Sequence, residues 1–290
     1  MTLLKYSPDF SPEEARRISE ELYGIKGTAS PLPSERDQNY LITAEAGDKF
    51  VLKISNAQED RSLLEGQNRA MLHLERTLSL CPQVNPGPDG EYIHEILSEK
   101  SGLAHAVRLV TFLEGVPLGV VGWRSPGLLE DIGFNLGRLD QALADFDHQA
   151  FHREFYWDLA GGLDIISRYA GLIEDGSLRS LVEKTAEELA RQTAPLLKGL
   201  RRGVIYNDAN DYNIIVGDGG NEPETRNQSF RGFVDLGDMV YSMVAADVAI
   251  AAAYAMLGSP DPLAAAVSIV RGFHRSFPLE ERELEVLFGL

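Results

Sequence analysis

The pattern of apolar and polar positions divides the chain into a first part of short strands and a second part of helices. The segment NYLITAEAGDKFVLKIS, residues 39–55, alternates apolar and polar positions on both sides of the turn AEAGD, which predicts a β-hairpin. Gly47 occupies the position of that turn at which a positive φ angle is expected, and glycine adopts such an angle without steric cost. Residues 91–97 and 104–113 predict two further strands, which follow a proline- and glycine-rich loop at 81–92.

Helical spacing of apolar residues predicts one helix in the first part and several in the second. The first helix is expected within residues 57–79. In the second part, Ser125 begins a segment, 125–146, that has a helix cap, a proline in the first turn and apolar residues at intervals of three and four. Another helix is expected within residues 176–200, where Pro195 should kink or end it.

These elements predict an α+β protein with two lobes. A small antiparallel β-rich lobe with one helix is assigned to residues 1–114, and a larger, mainly helical lobe to residues 115–290, with the joint near FLEGVPLG at 112–119. The final segment, 278–290, keeps an apolar helical pattern without a capping signal at its end. We expect either that this helix ends against the core or that the chain is part of a longer, multifunctional protein.

Composition excludes several classes of protein. Among 290 residues, 44% are hydrophobic and 24% charged, which is typical of globular domains, and a single cysteine excludes an internal disulfide. The first residues lack the apolar core of a secretion signal, so a cytoplasmic location is expected. A net charge of −17 argues against binding to nucleic acid or to an anionic membrane. The acidic surface could attract a cationic small molecule, although solubility alone would also explain it.

The most apolar stretch, residues 241–257, is short for a bilayer span and contains Asp247. We therefore expect a helix that is buried in a soluble core.

Carboxylates and amides are concentrated in GVIYNDANDYNIIV, residues 203–216, between two apolar runs. Asp208 and Asn213 are five residues apart in this loop, and Asp235 and Gly237 follow a later strand, FRGFV. Pairing NIIVGD with FRGFV as a hairpin would bring the three side chains together at one end. Aspartate and asparagine are also common turn residues, so either residue alone would be equally consistent with a simple turn.

Three convergent oxygen-bearing side chains suit Mg²⁺, which proteins hold with one or two carboxylates while phosphate and water complete the shell. Asn213 and Asp235 are the candidate metal ligands, and Asp208 is then left to orient and deprotonate an attacking hydroxyl. The order D-x-x-x-x-N followed by D-x-G is the pattern of protein-kinase-like enzymes.

A kinase-type site also needs a lysine on a strand of the small lobe. In KFVLKIS, Lys53 lies on the face opposite Leu52 and Ile54, and Glu65 of the following helix is the candidate partner that would hold it. The alternatives are an ordinary surface lysine and, for Glu65, a helix-surface pair with Arg69.

VIYNDANDYNIIV together with FVDLGDMVYSMVAADVAIAAAYAML resembles the aminoglycoside phosphotransferase family, most closely its hydroxylysine-kinase-like branch. The resemblance extends from about Phe10 to the end and is more specific in its C-terminal motifs. It implies a bilobal protein-kinase-like fold and a transferase that moves the γ-phosphate of ATP or GTP, with Mg²⁺, to a hydroxyl of a small, amine-bearing acceptor such as hydroxylysine.

Carried to this chain, the resemblance makes Asp208 the catalytic base, Asn213 and Asp235 metal ligands, and Lys53 the contact of the α- and β-phosphates. Three further roles follow from it: backbone groups from Phe112 to Glu114 would meet the nucleotide base, residues 34–42 would turn over the phosphates, and Asp247 would brace the catalytic loop.

Two departures from the family pattern are visible. Tyr206 and Asn207 replace the usual histidine and a common glycine before Asp208, and the turn over the phosphates has no glycine. Tyr206 motivates an alternative interpretation, a non-catalytic kinase-like module that binds nucleotide or a partner.

Other candidates are assigned structural roles. The histidines lack zinc-ligand spacing apart from His148 and His152, and all six are expected at the surface. Cys81 has no evident base. The aromatic group FYWDL, residues 155–159, either packs in the core, the simpler expectation, or lines an acceptor pocket.

Overall fold

The computed structural model describes residues 6–217 and 228–290, so most of the polar loop expected between Gly217 and Arg231 lies outside the described residues. Contacts along the chain divide it into two compact units, Met1–Leu113 and Glu114–Leu290. The division falls one residue before the boundary expected from the sequence.

The first unit is built on one antiparallel sheet. Its strand order is β1-β2-β3-β6-β4, and β5 also pairs with β6. The strands are β1 (Gly27–Leu32), β2 (Gln38–Ala44), β3 (Lys49–Ile54), β4 (Val84–Asn85), β5 (His94–Leu97) and β6 (Ala104–Thr111). The expected hairpin is β2–β3, and Gly47 has φ 95° in its turn. The loop expected at 81–92 contains the short strand β4, which pairs with the outer end of β6.

Side chains on each face of the sheet contact a helix. On one face, the core contains residues from before and within α1 (Pro12–Tyr23) and from strands β2, β3 and β6: Phe10, Ala15, Ile18, Tyr23, Tyr40, Ile42, Leu52, Ile54, Val107 and Leu109. The other face contacts α2 (Arg61–Glu75), because Arg108 of β6 donates to α2 there. Lys53 is the cross-strand partner of Arg108 and shares its face, opposite Leu52 and Ile54 as expected.

Helix α1 was not anticipated, although its signal is local. Ser11 caps it and forms a capping box with Glu14, in the sequence SPEE that also places a proline at the start. Residues 6–113, the described part of the first unit, therefore contain two α-helices rather than one.

The second unit is mainly helical. Its helices are α3 (Pro126–Leu143), α4 (Gly162–Tyr169), α5 (Gly176–Gln192), α6 (Ala194–Leu197), α7 (Val244–Met256), α8 (Pro262–Ser276) and α9 (Glu281–Val286). Ser125 caps α3 through the N–H of Leu128, as expected. The helix expected at 176–200 ends at Gln192, and Pro195 lies in the first turn of the separate α6. Helices α3 and α8 cross closely at Gly133 and Gly272, where a Cβ atom would meet the opposing backbone at 2.0 and 1.9 Å.

Two small sheets accompany these helices. One has the order β10-β9-β7 and the other pairs β11 with β8, and every pairing is antiparallel. The strands are β7 (Val116–Pro117), β8 (Arg202–Ile205), β9 (Ile214–Val216), β10 (Phe230–Phe233) and β11 (Val240–Met243). The pairing of β9 with β10 confirms the expected hairpin.

The apolar stretch at 241–257 is strand β11 followed by α7, so the expected helix begins only at Val244. Residues 240–243 form a strand because they pair with β8, and a partner so distant in sequence leaves no signal in the local periodicity. Helix α7 is buried on most sides, as expected. Within the described part of the chain, no helix combines the length and apolar character needed to cross a membrane.

Candidate active site

The loop between β8 and β9 is shaped by its own polar side chains. Asn210 Oδ1 accepts from the backbone N–H of Tyr212 at 2.8 Å and of Asn213 at 3.1 Å, which closes the turn at 211–213. Asn210 Nδ2 also donates to Asp208 Oδ1 at 2.6 Å. Asn210 was not assigned a role from the sequence, but its place two residues after an aspartate in a tight turn is a signal for this bridging geometry.

Asp208 and Asn213 lie side by side, as the sequence predicts. Asn213 Nδ2 donates to Asp208 Oδ2 at 2.6 Å and to the Asp208 carbonyl at 3.3 Å. The pKa of Asp208 is raised to about 7, chiefly by burial and also by the charges of Asp238 and Asp235, while hydrogen bonds from Asn210 and Asn213 act to lower it. Asp208 is therefore a carboxyl group whose proton affinity suits proton transfer near neutral pH.

Asp235 lies where β10 ends, and the β9–β10 pairing fixes its position relative to the loop. The N–H of Val234 donates to the carbonyl of Asn213 at 2.9 Å. Asp235 has φ 59°, and its Oδ1 accepts from the N–H of Gly237 at 3.2 Å. A Cβ on Gly237 would lie 3.1 Å from that oxygen, which explains the glycine in D-x-G. The three predicted side chains thus come together at one end of the hairpin.

The turn after Asp235 is held from outside the hairpin. Arg153 Nη2 donates to the carbonyl of Gly237 at 3.1 Å and to that of Met239 at 3.2 Å. No local pattern around Arg153 signals this role, because the contact spans 84 residues or more.

Asp247 braces the loop from α7, as the family resemblance implies. It is fully buried, and its Oδ2 accepts from the N–H of Tyr206 at 2.8 Å while its Oδ1 accepts from the N–H of Asn207. Asn207 has φ 63°, a left-handed conformation that needs such support in a non-glycine residue. The Tyr206 hydroxyl donates to the carbonyl of Val234, so this departure from the family pattern ties the loop to β10.

The side chain of Asn207 extends the site toward an exposed aromatic group. Its Nδ2 donates to the carbonyl of Asp238 at 3.2 Å and lies 3.4 Å from the carbonyl of Trp157. Trp157 is 72% exposed and Tyr156 60% exposed, so the expectation that these aromatic residues pack in the core is wrong. Two contacts hold this segment: the Trp157 carbonyl faces Asn207 Nδ2, and the Asp158 carboxylate accepts a hydrogen bond from the Ser242 hydroxyl. The rings of Tyr156 and Trp157 are left exposed.

The available oxygen atoms suit a divalent cation. Among residues 6–217 and 228–290, no three His, Cys, Asp or Glu side chains cluster so as to hold a metal ion by themselves. An ion here would need the amide oxygen of Asn213 and oxygens from outside the protein in addition to carboxylate. Because Asn213 Nδ2 already donates to Asp208, its Oδ1 is the atom left for coordination. This mixed set fits Mg²⁺, which retains water and phosphate oxygens.

In the first unit, the expected pair between Lys53 and Glu65 does not form. Glu65 is half exposed and accepts from Arg61 Nε at 3.2 Å, one turn earlier on α2. Gln67 and Asn68 are the polar residues of α2 that are turned toward the sheet, and both accept hydrogen bonds from Arg108. The rotation of α2 about its axis, which the sequence did not fix, explains the difference.

Of the remaining predicted segments, residues 112–114 follow β6, and residues 34–42 comprise a turn and the first part of β2. The N–H of Phe112 donates to the carbonyl of Lys49 at 3.1 Å, so this amide is not available to a nucleotide base, whereas Glu114 is exposed. In the turn at 34–42, Asp37 Oδ1 accepts from the N–H of Asn56 at 2.9 Å.

Two other expectations are resolved by burial. His105 is fully buried and its Nδ1 lies 2.9 Å from the Ser55 carbonyl, so the histidines are not all surface residues. Cys81 is partly buried, and burial raises the pKa of its thiol to about 12, which is unfavourable for a nucleophile.

The chain is similar to known proteins over most of its length. The model of the phosphotransferase enzyme family matches residues 28–284. The hydroxylysine kinase of Xenopus laevis is 31% identical over 302 residues, which cover 98% of this chain and 79% of that protein. The hydroxylysine kinase of Mus musculus is 30% identical over 304 residues, with the same coverage of 98% and 79%.

Solved structures confirm the predicted kinase-like fold. Amicoumacin kinase hAmiN, in complex with AMP-PNP, Ca²⁺ and Ami, aligns with a TM-score of 0.71 and 16% identity over 96% of this chain and 81% of that one. A microcompartment-associated aminopropanol kinase aligns with a TM-score of 0.72 and 16% identity over 93% and 83%.

Proposed function

Because this chain belongs to the phosphotransferase enzyme family, we propose that it transfers the γ-phosphate of ATP or GTP to a hydroxyl group of a small, amine-bearing acceptor. The observation that carries the proposal is the convergence of Asp208, Asn213 and Asp235 at one end of the β9–β10 hairpin. An amino alcohol such as hydroxylysine is the proposed acceptor, since the curated relatives are named for it.

Asp208 is the proposed catalytic base. Its Oδ2 is held by Asn213 and its Oδ1 by Asn210, so the carboxylate is fixed before any substrate arrives. A fixed carboxylate can orient the acceptor hydroxyl and accept its proton as the bond to phosphorus forms. A pKa of about 7 favours that proton transfer at neutral pH.

Asn213 and Asp235 are the proposed ligands of Mg²⁺. Asn213 would use Oδ1, and Asp235 lies at the surface of the same cluster, where phosphate oxygens can approach. When bound, Mg²⁺ would neutralise charge on the transferred phosphoryl group. The protein's own contribution is to hold these oxygens in place, through the Gly237 amide and the Arg153 guanidinium.

In the first unit, Lys53 is the proposed contact of the α- and β-phosphates. It is half-buried on a strand and stands beside Arg108 in the sheet, which restricts the directions its ammonium group can take. The Phe112–Glu114 segment is the proposed contact of the nucleotide base, through the Phe112 carbonyl and the groups that follow it, since the Phe112 amide is already used. Residues 34–42 remain the proposed turn over the phosphates.

The acceptor's amine can be recognised by acidic and aromatic groups near Asp208. Asp211, in the same loop as Asp208, pairs with Arg124 at 2.7 Å, so its charge is balanced by that guanidinium group. Asp238 adds negative charge beside Asp208, and Trp157, bound to the same asparagine side chain, exposes an aromatic ring suited to an ammonium group. Asp238 and Trp157 are the proposed determinants of a cationic acceptor.

The non-catalytic alternative is less well supported. It was motivated by Tyr206, but Tyr206 retains the loop's bracing through its backbone N–H and adds a bond to β10 through its hydroxyl. The substitution leaves Asp208 bonded to Asn210 and Asn213.

A transfer assay tests the proposal. The purified chain is incubated with Mg·ATP or Mg·GTP and a panel of amino alcohols, their deaminated analogues and amines without a hydroxyl group, and phosphorylated product is measured. Product is expected with amino alcohols and not with amines that lack the hydroxyl. Nucleotide binding without transfer to any acceptor would instead support the non-catalytic module.

A further inference from the structure

A second buried carboxyl group lies behind the Asp247 brace and has no part in the chemistry proposed so far. Asp140, near the C-terminal end of α3, is 4% exposed. Neither of its oxygens has a hydrogen-bond donor within the described residues when both are treated as acceptors. An ionised carboxylate in that position would lack the compensation that buried charges require.

The group that Asp140 meets is Asp247 itself. The Asp247 carboxyl group is the neighbour that acts on Asp140 both by its charge and as a hydrogen-bond partner, and each effect raises the pKa of Asp140. Two carboxylates cannot form a hydrogen bond with each other, because neither has a proton to donate. A bond between these two groups therefore requires a proton on one of them.

The hydrogen bonds of Asp247 show which group is ionised. Asp247 already accepts two backbone N–H groups, from Tyr206 and Asn207, and it stands in the first turn of α7, where the helix dipole favours negative charge. Asp140 receives no such help. Burial raises the pKa of Asp140 well above its usual range, and the adjacent Asp247 raises it further.

The other charged groups near the pair do not supply a compensating cation. Besides Asp247, the charges that act on Asp140 are those of Arg201 and Glu283. Arg201 Nε donates to Glu283 Oε1 at 2.8 Å, and its Nη2 donates to the Pro278 carbonyl at 2.9 Å. Its charge is thus largely balanced by Glu283, which is itself fully buried.

We infer that Asp140 is a positioning residue, whose protonated carboxyl group donates a hydrogen bond to Asp247 and thereby holds the two loop amides that place Asp208. Asp247 then accepts three hydrogen bonds, two from the loop and one from α3. Movement of the Asp247 carboxylate would release the Tyr206 and Asn207 amides, and Asp208 is the next residue in the chain.

A cavity offers the competing explanation. A cavity of about 420 Å³ is bordered by Asp140, Arg201 and the backbone of β8. Water in this cavity could in principle hydrate an ionised Asp140, which would then have no role in positioning. The two explanations differ in the protonation state of Asp140 and in the consequence of replacing it by asparagine.

Infrared difference spectroscopy measures that protonation state without any activity. In D₂O at about pH 8, where exposed aspartates are ionised, the spectrum of the full chain minus that of Asp140→Asn should contain the C=O band of a protonated carboxyl group. Asp164→Asn removes an exposed aspartate of α4 and should show only a carboxylate band. A carboxylate band in the Asp140→Asn difference spectrum would overturn the inference.

Hydrogen exchange and kinetics test the positioning role, which presumes the phosphotransfer proposed above. Asparagine retains a donor toward Asp247, so Asp140→Asn should keep protection of the Tyr206 and Asn207 amides and kcat within about threefold. Asp140→Ala removes the donor, and it should increase exchange of both amides and lower kcat by roughly 10- to 100-fold while the Kd for nucleotide is unchanged.

Equal loss of amide protection in Asp140→Asn and Asp140→Ala would contradict the positioning role. Failure of all acceptors to be phosphorylated would refute the proposed function instead, and the infrared and exchange results would still decide the state and role of Asp140. If Asp140→Ala does not fold, the infrared spectrum of Asp140→Asn keeps the inference open to refutation.

Discussion

Two polar clusters, one in each unit, are held together in different ways. In the second unit, the partners of Asp208 are two and five residues away, on Asn210 and Asn213. On the sheet face of the first unit, the partners of Arg108 are 40 and 41 residues away, on Asn68 and Gln67 of α2. Local chain geometry fixes the first cluster, whereas the packing of a helix on a sheet fixes the second.

The comparison shows which site residues a sequence pattern can identify. A spacing of a few residues in a turn permits few side-chain arrangements, because each asparagine or aspartate bonds to nearby backbone. The partner of a strand residue on a helix depends on the rotation of that helix: Gln67 and Asn68 face Arg108, whereas Glu65, two positions before Gln67, is exposed. The following predictions test the difference.

The largest effect is expected in the local cluster. Asp208→Asn should lower kcat by roughly 10²- to 10⁴-fold, because the acceptor hydroxyl loses its base, while the Kd for Mg·nucleotide changes little. Steady-state kinetics and calorimetry measure the two quantities, with Asp164→Asn as the matched control on the exposed face of α4. Undiminished turnover in Asp208→Asn would remove Asp208 from its proposed role.

Asp235→Asn should remove most of the Mg²⁺ dependence of nucleotide binding. Asparagine tolerates the left-handed backbone at this position but lacks the charge that a divalent ion requires. Calorimetric titrations with and without Mg²⁺ should therefore give nearly equal Kd values in this variant and clearly different values in the unmodified chain. Retention of the full Mg²⁺ effect would contradict the metal assignment.

A smaller effect is expected in the first unit, where Glu65 pairs with Arg61 and not with Lys53. Lys53→Met should raise KM for nucleotide on the order of 10- to 100-fold, because it loses charge-assisted hydrogen bonds to phosphate. Glu65→Gln should change KM by less than about twofold, since Glu65 pairs with Arg61 at the surface. Comparable effects of the two substitutions would show that Glu65 supports Lys53 after all.

The pH dependence provides a prediction of stability as well as activity. Asp208 has a folded-state pKa of about 7, above its unfolded value, so its contribution to stability is present below the unfolded pKa and is lost as pH rises through about 7. Without metal, the free energy of unfolding of Asp208→Asn relative to that of the unmodified chain should therefore be higher at about pH 8 than at about pH 5; the hydrogen bond that asparagine loses toward Asn210 or Asn213 is the same at both pH values. Melting temperatures should rise by roughly 2–4 °C for each kcal/mol regained.

In assays with Mg·nucleotide, kcat/KM reports the pKa values of the free enzyme, so it should fall as pH drops through about 7, because protonated Asp208 cannot accept a proton. An equal gain in melting temperature at both pH values would show that the Asp208 carboxyl is not perturbed as described.

Much of the fold could be predicted from local signals, and the misses are equally physical. The β2–β3 hairpin and the Ser125 cap follow from turn and cap chemistry, and the phosphotransferase family was identified from motifs in the second unit. Strand β11 was taken for part of a helix, because its apolar run continues into α7 and only its pairing with β8 distinguishes it.

The candidate site divides in the same way. The grouping of Asp208, Asn213 and Asp235, and the brace from Asp247, followed from motifs. The contributions of Arg153 and Asp140 could not be predicted from motifs, because each residue acts on a partner 84 or more residues away. A single arginine or aspartate in a helix or loop forms no sequence pattern that would indicate such a role. The burial of such residues appears only in the folded chain.

A crystal structure with Mg²⁺ and a non-hydrolysable ATP analogue is the most direct measurement of the central claim. Asn213 Oδ1 and an Asp235 carboxylate oxygen are predicted to coordinate the ion at about 2.0–2.1 Å, with Asp208 outside the coordination shell and facing the γ-phosphate. An ion held by other side chains, with Asn213 and Asp235 not coordinating it, would contradict the proposed mechanism.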